Sequence, residues 1–140
     1  MPELKPYLDS WLGVPYVHQG HSRSGVDCIG FVRGFYAELG LDLSAFDVPE
    51  RTFKPSQRKL IRGLGAAFVP GKAITGSPLC LYNPLNGAIH VGLCYDVLED
   101  VYSVVEACRG SNAVVKGYYP HRQGTSYCLT PDQANRLILF

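Results

Sequence analysis

The 140-residue chain has almost no excess of charge, with 13 lysines and arginines against 12 aspartates and glutamates, a formal net of +1. That balance provides no broad cationic face for nucleic acid or an anionic membrane. No run of about eighteen apolar residues occurs, so no membrane-spanning helix is expected. The first residues, Met1-Pro2-Glu3-Leu4-Lys5-Pro6, lack the basic-then-apolar pattern of a secretory signal. The sequence therefore predicts synthesis in the cytoplasm and delivery by another route for any work outside it. There is no Cys-x-x-Cys pair and no helical His-x-x-x-His, which argues against a structural zinc. The cysteines, at 28, 80, 94, 108 and 128, are odd in number, so at least one thiol has no partner within the chain. Neither repeats nor low-complexity linkers appear, and a single domain over 1–140 is expected.

What is present is organised around Val26-Asp27-Cys28-Ile29-Gly30-Phe31-Val32. Phe31, Val32, Phe35, Tyr36 and Leu39 follow at a spacing that puts them on one helical face, and Gly40 stands where a helix C-terminal glycine belongs. Asp27 is an N-cap candidate, which places Cys28 at the first helical position. A thiol there sits near unpaired N–H groups and the positive end of a helix dipole, conditions that favour a thiolate nucleophile. A lone cysteine is nevertheless more often a small packed core residue, and the choice depends on its partners.

Before this helix, Pro2 to Leu12 has the spacing of a short amphipathic helix ended by Gly13, and His18 to Gly25 has the composition of a loop. After it, Leu41 to Lys54 is a loop and Pro55 to Ala67 a second amphipathic helix. The chain then changes to strand patterns at Leu79–Tyr82, Ala88–Tyr95, Tyr102–Cys108, Ala113–Tyr118 and Ser126–Leu129. A helical turn at Thr130-Pro131-Asp132 and a last strand over Arg136–Phe140 are also expected. Helices first and strands afterwards predict an α+β fold, N-terminal helices packed on a mostly antiparallel sheet of about five to six strands.

A cysteine nucleophile needs a base, and the base gains from a third group that orients it. His18 and His21 are too close in sequence to reach Cys28 from an independent direction, and His121 lies in a turn composition. His90 lies within the alternating strand Ala88-Ile89-His90-Val91-Gly92-Leu93, with small residues Ala88 and Gly92 on its own face. A hairpin centred near Leu98 puts Glu106 directly opposite His90 on that face, although a shift of one residue would turn it away. A core histidine and a solvated glutamate are the competing readings of these two positions.

The stretch from Leu12 to Val32, Leu12-Gly13-Val14-Pro15-Tyr16-Val17-His18-Gln19-Gly20 through Gly25-Val26-Asp27-Cys28-Ile29-Gly30, resembles without a gap the signature of the NlpC-type (NlpC/P60) cell-wall cysteine peptidases. Gly87-Ala88-Ile89-His90-Val91-Gly92 resembles that family's histidine strand. The resemblance implies a papain-like fold, with Cys28 as nucleophile, His90 as general base and Glu106 at the position of the polar residue that orients it. Tyr16 matches a tyrosine that lines the site, and with Asp27 and Gly30 it is assigned to the substrate-binding surface. His18-Gln19 stands where the family has a glycine-containing loop, and Ile29 replaces a serine, a variation similar to the phage-tail-associated branch. The resemblance further implies hydrolysis of peptidoglycan stem peptides, often between a D-γ-glutamyl residue and a diamino acid, with no cofactor. A phage tail or tail-like particle is the implied partner for delivery to the cell wall, or for action as part of a virion. A structural tail component of the same fold with little activity, or a related thiol acyltransferase or deamidase, shares these residues. If Cys28 is the activated thiol, iodoacetamide alkylates it much faster than Cys80, Cys94, Cys108 or Cys128, as peptide mass spectrometry against time would show; equal rates would remove the idea.

Overall fold

The computed structural model of the chain describes residues 4–42, 69–70, 72–82, 89–121 and 124–128. The helix expected over Pro55–Ala67, the Thr130 turn, the strand over Arg136–Phe140 and most of the Leu41–Lys54 loop lie outside them. The first helix, α1 (Leu4–Asp9), is shorter than its hydrophobic spacing predicts. Past Asp9 the chain tightens into i→i−3 bonds, Trp11 N–H to Leu8 C=O at 3.0 Å and Leu12 N–H to Asp9 C=O at 3.1 Å, before Gly13 turns with φ 88°.

In place of the loop expected over His18 to Gly25 there is a short hairpin of two-residue strands that runs one residue past it, β1 (His21–Ser22) against β2 (Gly25–Val26). Arg23 at its turn ties it down. The guanidinium donates to both Glu38 carboxylate oxygens at 2.8 and 2.9 Å and to the Ser10 carbonyl at 2.9 Å, and lies 4.2 Å over the Trp11 ring. A planar fork that stacks and bonds at once is what arginine supplies and lysine does not.

Helix α2 (Cys28–Glu38) follows, its expected apolar face fully realised. Ile29, Phe31, Val32, Phe35, Tyr36 and the following Leu39 are all buried. They pack, with Leu8 and Trp11, on Val91, Leu93, Val105, Ala107 and Val114 of the sheet. Trp11 meets Phe31 edge-on at 5.5 Å and Phe35 meets Tyr36 at 5.0 Å, geometries that add to area burial. Among the described residues no helix is long and apolar enough to cross a membrane.

The main sheet comprises β3 (Val69–Pro70), β4 (Pro78–Tyr82), β5 (Ile89–Val97), β6 (Val101–Cys108), β7 (Ala113–Pro120) and β8 (Gly124–Cys128), in the order β3-β8-β4-β5-β6-β7. Every pairing in it is antiparallel, so the α+β expectation holds. One side of the sheet carries the core under α2; the other buries Leu79, Leu81, Cys94 and Val104.

The hairpin register differs from its expected value. The turn closes with Leu98 N–H on the Val101 carbonyl, so its centre lies beyond Leu98. A bulge then falls between Cys94 and Asp96, Asp96 pairing with Ser103 while Cys94 pairs with Val104 and Leu93 with Val105. Continued along the ladder, this register sets Glu106 across from Gly92 rather than His90. Because strand side chains alternate with period two, the net displacement keeps Glu106 on the face of His90, as a diagonal neighbour. Without the bulge, Glu106 would oppose Leu93 and point into the core under α2. The bulged residue, Tyr95, is held from several directions. Its hydroxyl donates to Asp9 at 3.1 Å, the Lys116 ammonium stands 3.7 Å over its ring, and its carbonyl accepts from the Thr75 hydroxyl at 3.0 Å.

Gly30 marks the tightest approach among the described glycines, since a Cβ there would lie 1.6 Å from the Gly20 carbonyl oxygen. The obstructing atoms are the Gly20 backbone and, at 3.0 Å, the Asp27 Oδ1 that caps the helix, neither of them the end of a flexible side chain. Gly30→Ala is therefore expected to destabilise the fold by about 3 kcal/mol, read as a lower urea midpoint with unchanged slope.

Candidate active site

Asp27 has extended backbone angles, φ −99° and ψ −172°, and caps α2 as its sequence position predicts. Its Oδ1 accepts from the Gly30 amide at 2.7 Å, and its Oδ2 accepts from the Gln19 amide at 2.9 Å. One buried carboxylate thus fastens the helix start and the preceding loop to each other. The Phe31 amide bonds the Asp27 carbonyl at 2.8 Å, which leaves the amides of Cys28 and Ile29 as the open helix-start donors among the described residues. Cys28 itself is half-buried at the rim of the core, as is Tyr16.

His90 is coupled to both Cys28 and Glu106. Its Nε2 lies 3.3 Å from Glu106 Oε1, with the imidazole about one third exposed (32%) and the carboxylate almost wholly buried (7%). The approach is that of an ion pair and is not aligned as a hydrogen bond. With Nε2 turned to Glu106, Nδ1 is the ring atom left for the thiol. Burial pulls the His90 pKa down, yet the neighbouring Cys28 and Glu106, both of which favour the charged ring, outweigh it and raise it to about 10. His90 is accordingly an imidazolium at neutral pH, flanked by two groups that can be anionic.

The same surroundings separate the thiols. Burial, and then electrostatic coupling to nearby Cys28, push Cys80 up to about 11; burial and then Asp96 push Cys94 to about 11. Both stay protonated and unreactive at neutral pH.

Glu106 is set in a slot of small residues. A Cβ on Gly92 would meet the Glu106 Cβ at 3.4 Å, and a Cβ on Gly117 would come within 2.6 Å of Oε2. Tyr119 of β7 reaches along this slot and donates its hydroxyl to Oε1 at 2.6 Å.

The sequence model of the NlpC/P60 family matches residues 13–94, well over half of the chain and the segment that carries Cys28 and His90. The chain belongs to the NlpC/P60 family. It is similar to a Haemophilus influenzae protein named "Probable endopeptidase", 29% identical over 106 residues, covering 71% of this chain and 66% of that protein, just short of two thirds. Among solved structures, the NlpC/p60 domain of the peptidoglycan hydrolase SagA superposes with a TM-score of 0.55 at 22% identity, covering 89% of this chain and 94% of that one. The P60 domain of antigen MAP1204 from M. avium subspecies paratuberculosis superposes with a TM-score of 0.51 at 19% identity, covering 87% of each chain. These two likenesses concern the fold.

Within this NlpC/P60 domain the structure brings Cys28, His90 and Glu106 together, with Tyr16 half-buried on the same core rim. It does not give Asp27 and Gly30 the substrate-facing surface expected of them. Asp27 is 1% exposed with its oxygens on backbone amides, and Gly30 is covered by the Gly20 carbonyl, so both shape the site from below. His18 and His21 are exposed on the loop, and His121 stacks on Tyr102 at 4.4 Å, at the hairpin end of β6. Tyr119 escaped the sequence reading, which ended its strand at Tyr118. Gln19, at the family's glycine position, takes φ 61°, the left-handed angle a glycine accepts without cost.

A histidine with a raised folded-state pKa stabilises the protein fully below its unfolded value, about 6.5, and loses that contribution as pH rises through about 10. In Glu106→Gln the His90 midpoint is expected to fall, read from imidazole NMR shifts, and the alkaline loss of stability moves to lower pH with it. A midpoint unmoved by Glu106→Gln would mean that the carboxylate does not act on the imidazole.

Proposed function

We propose that this NlpC/P60 domain is a cysteine endopeptidase of peptidoglycan stem peptides, cleaving an amide such as that between a D-γ-glutamyl residue and a diamino acid. The observation that carries the reading is the convergence of Cys28, at a capped helix start, with an imidazolium His90 backed by a buried Glu106. The relatives' names, an endopeptidase and a peptidoglycan hydrolase, support the substrate class.

In this mechanism the Cys28 thiolate attacks the scissile carbonyl carbon, and the resulting oxyanion is received by the amides of Cys28 and Ile29. His90 then gives its proton to the leaving nitrogen as the C–N bond breaks, leaving a thioester on Cys28. The neutral imidazole takes a proton from water, whose oxygen attacks the thioester and releases the acid and the thiolate. Glu106 stabilises the imidazolium and holds the ring in one orientation. Tyr16, on the same rim, lines the groove in which the peptide lies. The place of action in this reading is the cell wall.

Purified muropeptides incubated with the protein should yield a new free amine and a carboxylate by mass spectrometry. Cys28→Ala should lower that rate by about 10⁴-fold or more while the fold persists. No turnover with a rapidly alkylated Cys28 would sink the peptidase reading and point to a thiol enzyme acting on another amide.

A further inference from the structure

Glu106 raises a problem that the three-residue site does not solve. Its carboxylate is almost wholly buried, opposite a glycine rather than opposite His90, and it reaches the imidazole only along a diagonal. A glutamate has three side-chain torsions, so in such a slot something must select the rotamer that aims Oε1 at His90. No other group hydrogen-bonds this carboxylate among the described residues except the Tyr119 hydroxyl, on the same oxygen that faces Nε2. A carboxylate oxygen has lone pairs for both.

The slot that lets Tyr119 reach Glu106 is itself built. Tyr119 pairs with Tyr102, and Gly117, the next residue of β7 on that face, pairs with Val104. Gly117 is the step between the tyrosine and the glutamate, and a Cβ there would press on Oε2 at 2.6 Å and on the Tyr119 ring at 3.3 Å. Its missing side chain allows the phenol to lie along the strand with its hydroxyl at the carboxylate. Burial, and then the Glu106 hydrogen bond and charge, push the Tyr119 pKa well above the usual tyrosine range, so the hydroxyl keeps its proton and remains a donor.

We propose that Tyr119 is a positioning residue of the active site, holding Glu106 in the rotamer that supports His90 by donating its hydroxyl hydrogen bond to Oε1 through the gap at Gly117. The inference rests on the Cys28–His90–Glu106 reading and extends it by one residue from a neighbouring strand. It predicts a chain of action that runs Tyr119 to Glu106 to His90, with no contact of Tyr119 with substrate.

The test is a double-mutant cycle on Tyr119→Phe and Glu106→Gln, read by muropeptide hydrolysis and, without any substrate, by the rate of Cys28 alkylation. Tyr119→Phe keeps the ring and its packing and should lower kcat about tenfold with KM unchanged. On top of Glu106→Gln it should cost nothing more, because a residue that acts through another has no effect once that other is gone. Gly117→Ala, which displaces the carboxylate from the other side, should mimic Tyr119→Phe in kcat. Tyr118→Phe, at an outward position 66% exposed, is the control. Additive losses in the double mutant, a change confined to KM, or wild-type rates in Tyr119→Phe would each overturn the proposal. If no peptide is hydrolysed but alkylation shows the non-additive pattern, the peptidase reading fails and the role of Tyr119 stands. If peptide is hydrolysed and the losses add, the role of Tyr119 fails alone.

Discussion

The Asp27 carboxylate is the joint on which the site depends. Two backbone amides from different segments, Gln19 and Gly30, converge on its two oxygens beneath the surface. Charge-assisted bonds of this kind are roughly twice as strong as neutral ones, and removing the acceptor would strand the buried Gly30 donor at about 1–3 kcal/mol and release the part-buried Gln19 amide. The position of Cys28 follows from this joint. Its own amide and that of Ile29 stay open because the cap engages only the next turn, and the loop carrying Tyr16 is sewn to the helix start. That same segment is anchored at its other side by Tyr16 N–H on the Asn112 carbonyl at 2.9 Å, which links the nucleophile's loop to the strand bearing Tyr119.

Around that joint the protein distributes protons unequally among similar groups. His90 keeps its proton because Cys28 and Glu106 both favour the charged ring, whereas Cys80 and Cys94 keep theirs because burial disfavours the thiolate. The nearly neutral chain thus creates its functional electrostatics from local placement, with its overall charge contributing little.

Much of this was legible in the sequence where the signal is local. The cap, the apolar face of α2 and the alternation on β5 each depend on a few consecutive residues, and each was found at its expected place. The Glu106 face was also anticipated, but its register was not, because that depends on where the turn closes and on a bulge fixed by Tyr95 contacts with α1 and Lys116. The contact with α1 joins residues 86 positions apart, and nothing in a strand pattern encodes either contact. The short β1–β2 hairpin was missed because its strands are too brief to show alternation. Asp27 and Gly30 were assigned to the substrate surface because flanking a nucleophile in sequence resembles flanking it in space, and a helix start separates the two.

The bulge at Tyr95 gives the hairpin an odd-and-even rule. Because it changes which face Glu106 occupies, the active site tolerates length changes in the β5–β6 connection according to whether they are even or odd, far more than according to their size. Two added residues shift the pairing and return every side chain to its original face. Closing the bulge with Tyr95 taken into the ladder would leave each strand as apolar and as well paired as before, yet set Glu106 opposite Leu93, bury its charge under α2 and present Val105 to the histidine's side. Relatives that diverge in this hairpin should therefore differ by steps of two, or carry a compensating bulge of their own, wherever they keep an acid in the third position.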